Sequence, residues 1–113
     1  MASIACSSSS ASVSEVAGLT ECFSARVAAW FAGEGRAAIE DPVYLRQMNM
    51  AIALAASRWN EFAGGHDPVG RMGAWLNEVE RRAVVRNAGA RVEAIRRARD
   101  WFEACADASG HSP

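Results

Sequence analysis

Lysine is missing from this chain of 113 residues, and every basic side chain is an arginine. The chain also lacks any apolar run of the roughly 20 residues that a membrane-spanning helix needs. Its formal net charge is −1, which argues against a general binder of nucleic acid. We therefore expect a soluble protein. Arginine pairs well with carboxylates and is enriched at interfaces, although a biased genome composition would also explain its abundance.

The motifs that support catalysis or metal binding are absent as well. The two histidines, His66 and His111, lie in a predicted turn and in the C-terminal tail. Neither position forms a recognisable combination of a nucleophile with a general base. No HExxH or GK[ST] pattern occurs, and Glu78 and Glu80 lie on different faces of a predicted helix. We expect no enzyme activity, no metal ion and no cofactor.

The cysteines are few and show no CxxC spacing. There are three, Cys6, Cys22 and Cys105, so any disulfide scheme leaves one over. Cys22 and Cys105 lie among apolar residues of predicted helices, where we expect each to be a small buried apolar side chain. A reduced, cytoplasmic protein fits this pattern. The residues before Cys6 have no basic and no apolar segment, so we predict no signal peptide.

Two Asp-Pro steps, at 41–42 and 67–68, divide the chain into amphipathic helices. Asp is a good N-cap, and Pro suits the first helical turn because its missing N–H would be unpaired there anyway. The sequence predicts a single all-α domain over 13–108, preceded by a disordered Ser/Ala-rich arm at 1–12 and followed by a frayed tail at 109–113.

Apolar residues at intervals of three and four predict the helices within this domain. Ser12 and Glu15 match a capping box and start a first helix that ends at Gly33. A second helix is predicted from Pro42 to about Ala63. A third helical segment is predicted from Pro68 to about Asp107, giving a bundle of three or four helices with a long C-terminal helix.

The apolar stripe of the third segment rotates by about 100° midway, the angle of one helical residue. One explanation is a break at Asn87-Ala88-Gly89, a sequence typical of a helix C-cap. The other is a continuous helix of some 40 residues, about 60 Å long, which would need a second chain to cover it. We predict a homodimer built on this segment.

Arginine is concentrated near the end of the chain. Residues 81–99 contain seven arginines and one acid, Glu93. Pairs at i, i+4 spacing are predicted for Glu78–Arg82, Glu93–Arg97, Arg96–Asp100 and Arg99–Glu103. This leaves Arg81, Arg86 and Arg91 without an acidic partner at i, i+4 spacing. The segment favours a solvated or protein-binding face, and the alternative is a small helical DNA-binding regulator that uses residues 81–99.

Four tryptophans are many for a chain of this length. Trp30 and Trp59 fall on the apolar stripes and are predicted core residues. Trp75 and Trp101 lie beside the stripes, and tryptophan together with arginine is typical of interface hot spots, although packing at the edge of the core is the alternative. The predicted partner-binding residues are Trp75, Arg81, Arg86, Arg91 and Trp101.

In size, helical plan and Arg/Ala-rich composition, the chain resembles the QslA-type quorum-sensing anti-activators of pseudomonads. The resemblance covers the helical layout and the segment 68–107, and it carries over no functional residue. It implies a small helical homodimer that binds a LuxR-type transcription factor and prevents its activity. The expected function is thus transcription regulation through protein–protein interaction.

Overall fold

A computed structural model describes residues 13–33 and 36–111, with the side chains of residues 110 and 111 excepted. Its four α-helices are α1 (Val13–Phe31), α2 (Pro42–Ala63), α3 (Pro68–Val85) and α4 (Gly89–Ala106). A 3-10 turn covers Arg36–Ala38, and a π-helical turn covers Asp107–His111. The predicted all-α class is confirmed, and the described ranges contain four α-helices.

Some sequence predictions fall outside these ranges. They are the arm at 1–12, the Ser12 half of the capping box and the last two residues of the tail.

Both Asp-Pro steps act as predicted at the starts of α2 and α3. The Asp41 carboxylate accepts the backbone N–H of Val43, with 3.0 Å between nitrogen and oxygen. Asp67 accepts the N–H of Gly70 at 3.4 Å and has a left-handed backbone, with φ of 46°. These caps fix where the two helices begin, and hence the direction from which each enters the bundle.

The predicted segment 68–107 is broken, so the continuous-helix alternative is wrong. Asn87 adopts a left-handed conformation with φ of 56°. Its N–H donates to the carbonyl of Val84 at 3.0 Å, and the N–H of Ala88 donates to that of Ala83 at 2.9 Å. This pair of bonds is a Schellman motif, which satisfies the last carbonyls of α3 and reverses the chain. The residue in the left-handed position is Asn87, whereas Gly89 is the first residue of α4.

Two buried clusters hold the helices together. In the larger one, the Phe102 ring of α4 meets Phe23 and Trp59 edge-on, at centroid distances of 5.9 and 5.0 Å. In the smaller one, Ala90 and Ala94 of α4 are almost fully buried among residues of α1 and α2. The alanines permit a close approach of the helices, so close packing of small side chains contributes much of the core.

A disulfide between Cys22 and Cys105 joins α1 to α4, whose Cα atoms lie 5.7 Å apart at these positions. The prediction that the two cysteines are separate buried apolar side chains is therefore wrong. The bonded residues are 83 positions apart in sequence. Only the packing of the first helix against the last brings them within bonding distance, and spacing along the chain gives no sign of it.

Candidate functional site

A groove of about 840 Å³ lies between α2, α3 and α4. Its apolar lining consists of Met50, Ala51, Leu54, Trp75, Val79, Ala83, Ala88 and Ile95. Its polar lining consists of Gln47, Arg58, Arg82, Arg86 and Arg91. We call this surface the arginine groove. No carboxylate belongs to the lining, so the groove combines apolar area with charge of one sign.

Two apolar lining residues of α2, Met50 and Leu54, form a second face of that helix, beside its core face. Met48 and Ile52 are fully buried, whereas Met50 is 59% exposed and Leu54 is 47% exposed. Neither Met50 nor Leu54 belongs to a buried cluster of the described residues. An exposed apolar patch beside polar groups is typical of an interaction site.

Trp75 connects the core to the groove. It packs against the larger buried cluster and also lines the groove. The guanidinium carbon of Arg58 lies 5.9 Å from its ring centroid, within the range of a cation–π interaction. Arg58 also donates to Glu61 at 3.0 Å. These contacts place the Arg58 guanidinium beside the indole ring.

Arg82 has a carboxylate partner outside the groove lining. Its Nε donates to Glu78 at 2.8 Å, and Arg81 donates to both oxygens of the same carboxylate, also at 2.8 Å. Hydrogen bonds and charge, from Arg81 first and then Arg82, lower the pKa of Glu78. Arg81 therefore has a partner three positions earlier on α3, a spacing that the i, i+4 prediction did not cover.

Arg86 and Arg91 stand on either side of the α3–α4 turn. Arg86 is the C-cap of α3, and Arg91 lies in the first turn of α4. Both are exposed. Within the described ranges, no carboxylate lies within 4.0 Å of either guanidinium, so their charges are available to an external group.

The structure brings together three of the five predicted partner-binding residues. Trp75, Arg86 and Arg91 line the same groove. Arg81 is not part of its lining, and its guanidinium is bound to Glu78.

Trp101 lies elsewhere, in a cleft between α1 and α4. The ring centroids of Trp101 and Trp30 are 6.2 Å apart. The guanidinium carbon of Arg97 lies 5.0 Å from the ring centroid of Trp30. Trp101 packs against both buried clusters. Its surroundings are those of a residue at the edge of the core.

The outer face of α3 and α4 carries an interhelical ion-pair network. Glu80 of α3 accepts from Arg96 at 2.8 Å and from Arg99 at 2.5 Å, both on α4. These hydrogen bonds, Arg96 first, lower the pKa of Glu80.

The pairs predicted along this helix segment are therefore only partly correct. Arg96–Asp100 and Arg99–Glu103 are replaced by the contacts across the turn, because the break folds α3 against α4. The predicted pairs Glu78–Arg82 and Glu93–Arg97 are present, at 2.8 and 3.9 Å.

The structure shows where His66 and two of the cysteines lie. His66 is exposed in the α2–α3 turn, and Cys22 and Cys105 are bonded to each other. Within the described ranges, no three His, Cys, Asp or Glu side chains come together as a metal site would require. No helix of these ranges is long and apolar enough to cross a membrane.

Sequence reasoning missed the α2 side of the groove. Met50, Leu54 and Arg58 follow i, i+4 spacing on a face next to the core stripe. The sequence does contain a sign of this face, because α2 is apolar around more of its circumference than one core contact requires.

A scan against protein-family models found no match, and neither did comparisons with curated proteins and with solved structures. The resemblance to QslA-type anti-activators therefore gains no support from them. The interpretation of the site rests on its own geometry.

Proposed function

We propose that this chain is a small regulatory protein that binds another protein through the arginine groove. The observation that carries the proposal is the coincidence of exposed apolar side chains, Met50 and Leu54, with a half-buried tryptophan and four arginines in one concave surface. Buried aromatic and arginine side chains supply most of the energy in typical protein interfaces. Binding itself is the mechanism, since a partner that fills the groove has its own surface covered. No catalysis is expected.

A partner of the LuxR type, and hence an anti-activator role in quorum sensing, is the more specific form of this proposal. It is supported by the resemblance in size, helical plan and composition alone. The groove fits such a role because it presents a ready binding surface without a reaction centre. A direct test is whether the purified protein lowers DNA binding by a purified LuxR-type factor.

A DNA-binding role for residues 81–99 has less support than a protein partner. Five arginines of this segment are engaged with carboxylates: Arg81, Arg82, Arg96, Arg97 and Arg99. The remaining two border an apolar surface, which a sugar–phosphate backbone does not match.

The predicted homodimer rested on a helix too long for one chain to cover. The segment instead folds back on itself as two helices of 18 residues each, so this reason for a dimer no longer applies. A two-fold dimer through the groove would also place the same patch on both subunits, arginines against arginines. We therefore propose that the groove takes a different protein, with a second copy as the alternative.

The redox state of Cys22 and Cys105 in the cell tests the predicted cytoplasmic location. Cytosolic thiols are normally kept reduced, so a protein that works there would work without the Cys22–Cys105 bond. Acid quenching of native cells followed by alkylation of free thiols measures which form is present. A bonded pair would point to an oxidising compartment, and alkylation of both Cys22 and Cys105 to the cytoplasm.

Site-specific photo-crosslinking in the native cell tests the proposed function. A photo-reactive amino acid at Leu54, in the groove, should yield an adduct with another protein. The matched control is the same amino acid at Phe31, an exposed apolar position on α1, which contributes nothing to the groove lining. An adduct of equal yield at both positions, or no protein adduct at Leu54, would contradict the proposal.

A further inference from the structure

From the chemistry of the arginine groove, we infer that its occupant is an amphipathic helix whose apolar stripe is flanked by acidic side chains. This inference rests on the proposed function and specifies the partner's binding segment. Three properties of the groove support it: the excess of hydrogen-bond donors over acceptors among its side chains, its shape, and the arginines without a carboxylate partner.

The polar lining can donate many hydrogen bonds but accept few. A guanidinium has five N–H donors and no acceptor, so among the lining side chains only Gln47 offers an acceptor oxygen. An extended peptide would place its own N–H groups over this lining and leave most of them unpaired. A helix satisfies its backbone internally and needs no acceptor from the groove.

The dimensions of the apolar lining also suit a helix. On α2 the lining runs from Gln47 to Arg58, about three turns or roughly 16 Å. Met50 and Leu54 are about half exposed along this stretch, so the groove is open. A small molecule is normally enclosed over most of its surface, whereas a helix needs only one face covered.

The charges of the lining call for acids on the partner. Arg86 and Arg91 have no carboxylate within ion-pair distance in the described part of the chain. Arg58 and Arg82 hold exposed carboxylates outside the lining, and such surface pairs are weak enough to be exchanged. Carboxylates beside the partner's apolar stripe would form charge-assisted bonds with these arginines.

The chain itself offers no comparable occupant. Residues 1–12 contain no Asp or Glu, so the N-terminal arm cannot complement the arginines. A second copy related by two-fold symmetry would bring the same arginines to the interface. A partner of opposite charge is therefore the occupant that the lining fits.

A peptide-display selection tests this inference directly. The probe is a library on a helical scaffold with one face randomised, selected against the full-length protein. We expect the selected faces to carry apolar residues at i, i+4 and i+7, flanked by Asp or Glu. For one selected peptide, replacing its acids with Lys should weaken binding by about tenfold or more, since juxtaposed like charges strongly suppress a wrong partner.

A charge-reversed protein gives a second test, because it should change which peptide is preferred, and poor folding alone would not do that. In the Arg86→Glu, Arg91→Glu variant the preference should invert, so that the Lys peptide binds better than its acidic parent. Arg26→Glu, on α1 and outside the groove lining, is the control for a charge reversal elsewhere on the surface and should leave the preference unchanged.

Several results would overturn the inference. These are selected faces without an excess of acids, a failure to enrich any helix, or a preference unaffected by the reversal at Arg86 and Arg91. Binding of a short DNA duplex at physiological salt that is lost in Arg86→Ala, Arg91→Ala would overturn it in favour of nucleic acid. A protein adduct at Leu54 together with any of the first three results would leave the proposed function standing and reject only the acidic helix.

Discussion

At the scale of single residues, the N-cap of α3 depends on glycine at position 70. A Cβ atom there would overlap the Asp67 carboxylate, whereas a Cβ at Gly73 would meet no atom within 4 Å. We predict that Gly70→Ala displaces the capping carboxylate and destabilises the protein by about 1 kcal/mol. Gly73→Ala, a matched change in the same helix, should stabilise it by up to about 1 kcal/mol. Urea unfolding of both variants measures the difference.

This comparison separates capping from helix propensity. If propensity alone governed both sites, the two alanine variants would be stabilised alike. Equal stabilisation would contradict the cap geometry.

Trp101 and Leu54 should behave differently because they lie in different surroundings. Trp101 packs against both buried clusters, so Trp101→Ala should lower the free energy of unfolding by about 2–3 kcal/mol. Leu54 is half exposed and belongs to neither cluster, so Leu54→Ala should cost less than about 1 kcal/mol yet weaken binding of the selected helix. Chemical denaturation and peptide titration of each variant check this.

A different outcome would place Trp101 at the interface. That outcome is a Trp101→Ala protein with wild-type stability that no longer binds the selected helix. Arg81→Ala should leave peptide binding nearly unchanged, since Arg81 is bound to Glu78 outside the groove lining.

At the scale of helices, the turn between α3 and α4 depends on one left-handed residue. Asn87 has φ of 56°, a conformation that glycine adopts freely and that costs other residues roughly 1–2 kcal/mol. We predict that Asn87→Gly keeps or raises the thermal midpoint and that Asn87→Val lowers it. Equal midpoints for the two variants would show that the turn is not held in this conformation.

The Glu80 network is the second link between α3 and α4, and it predicts a pH dependence. The folded state lowers the pKa of Glu80 below its ordinary value of 4.5, through Arg96 and Arg99. Its contribution to stability is therefore complete above about pH 4.5 and is lost as the pH falls through the lower folded pKa. We expect Glu80→Gln to reduce stability by up to about 1 kcal/mol near neutral pH.

That difference between Glu80→Gln and the wild type should shrink towards zero as the pH falls through the lowered folded pKa of Glu80. Urea unfolding of both proteins across this range measures it. A difference that stays constant with pH would mean that the variant acts through packing instead of through charge.

The accuracy of the sequence predictions follows the range of the interactions involved. Local rules located the starts of α2 and α3 and placed both Asp caps, because an N-cap involves residues two or three apart. The break in 68–107 left a local sign too, in the rotated apolar stripe. The contacts of Arg96, Arg99 and the disulfide escaped prediction because they join residues that only the folded chain brings together.

The candidate site shows the same limit. Trp75, Arg86 and Arg91 could be selected one by one from composition and spacing, but their meeting in one groove depends on how α3 packs against α2. Met50 and Leu54 were not predicted as site residues, because an exposed second apolar face cannot be distinguished from a core face until the neighbours are known.

At the scale of the whole molecule, the disulfide ties the first helix to the last. It closes a loop spanning 83 positions, for which the loss of entropy in the unfolded chain corresponds to roughly 4–5 kcal/mol. We predict that a reductant lowers the denaturation midpoint strongly. The Cys22→Ala, Cys105→Ala double variant should be destabilised similarly and should not respond to reductant. An unchanged midpoint on reduction would contradict a structural role for the bond.

The central claim is that the arginine groove binds an acidic segment of another protein. The most direct test is the yield of photo-crosslinking from position 54 in the native cell, compared between the wild-type background and Arg86→Glu, Arg91→Glu. The prediction is one heterologous protein adduct whose crosslinked peptide is acidic and amphipathic, and whose yield falls sharply in the reversed background. A yield unaffected by the reversal, or an adduct only with a second copy of this chain, would contradict it.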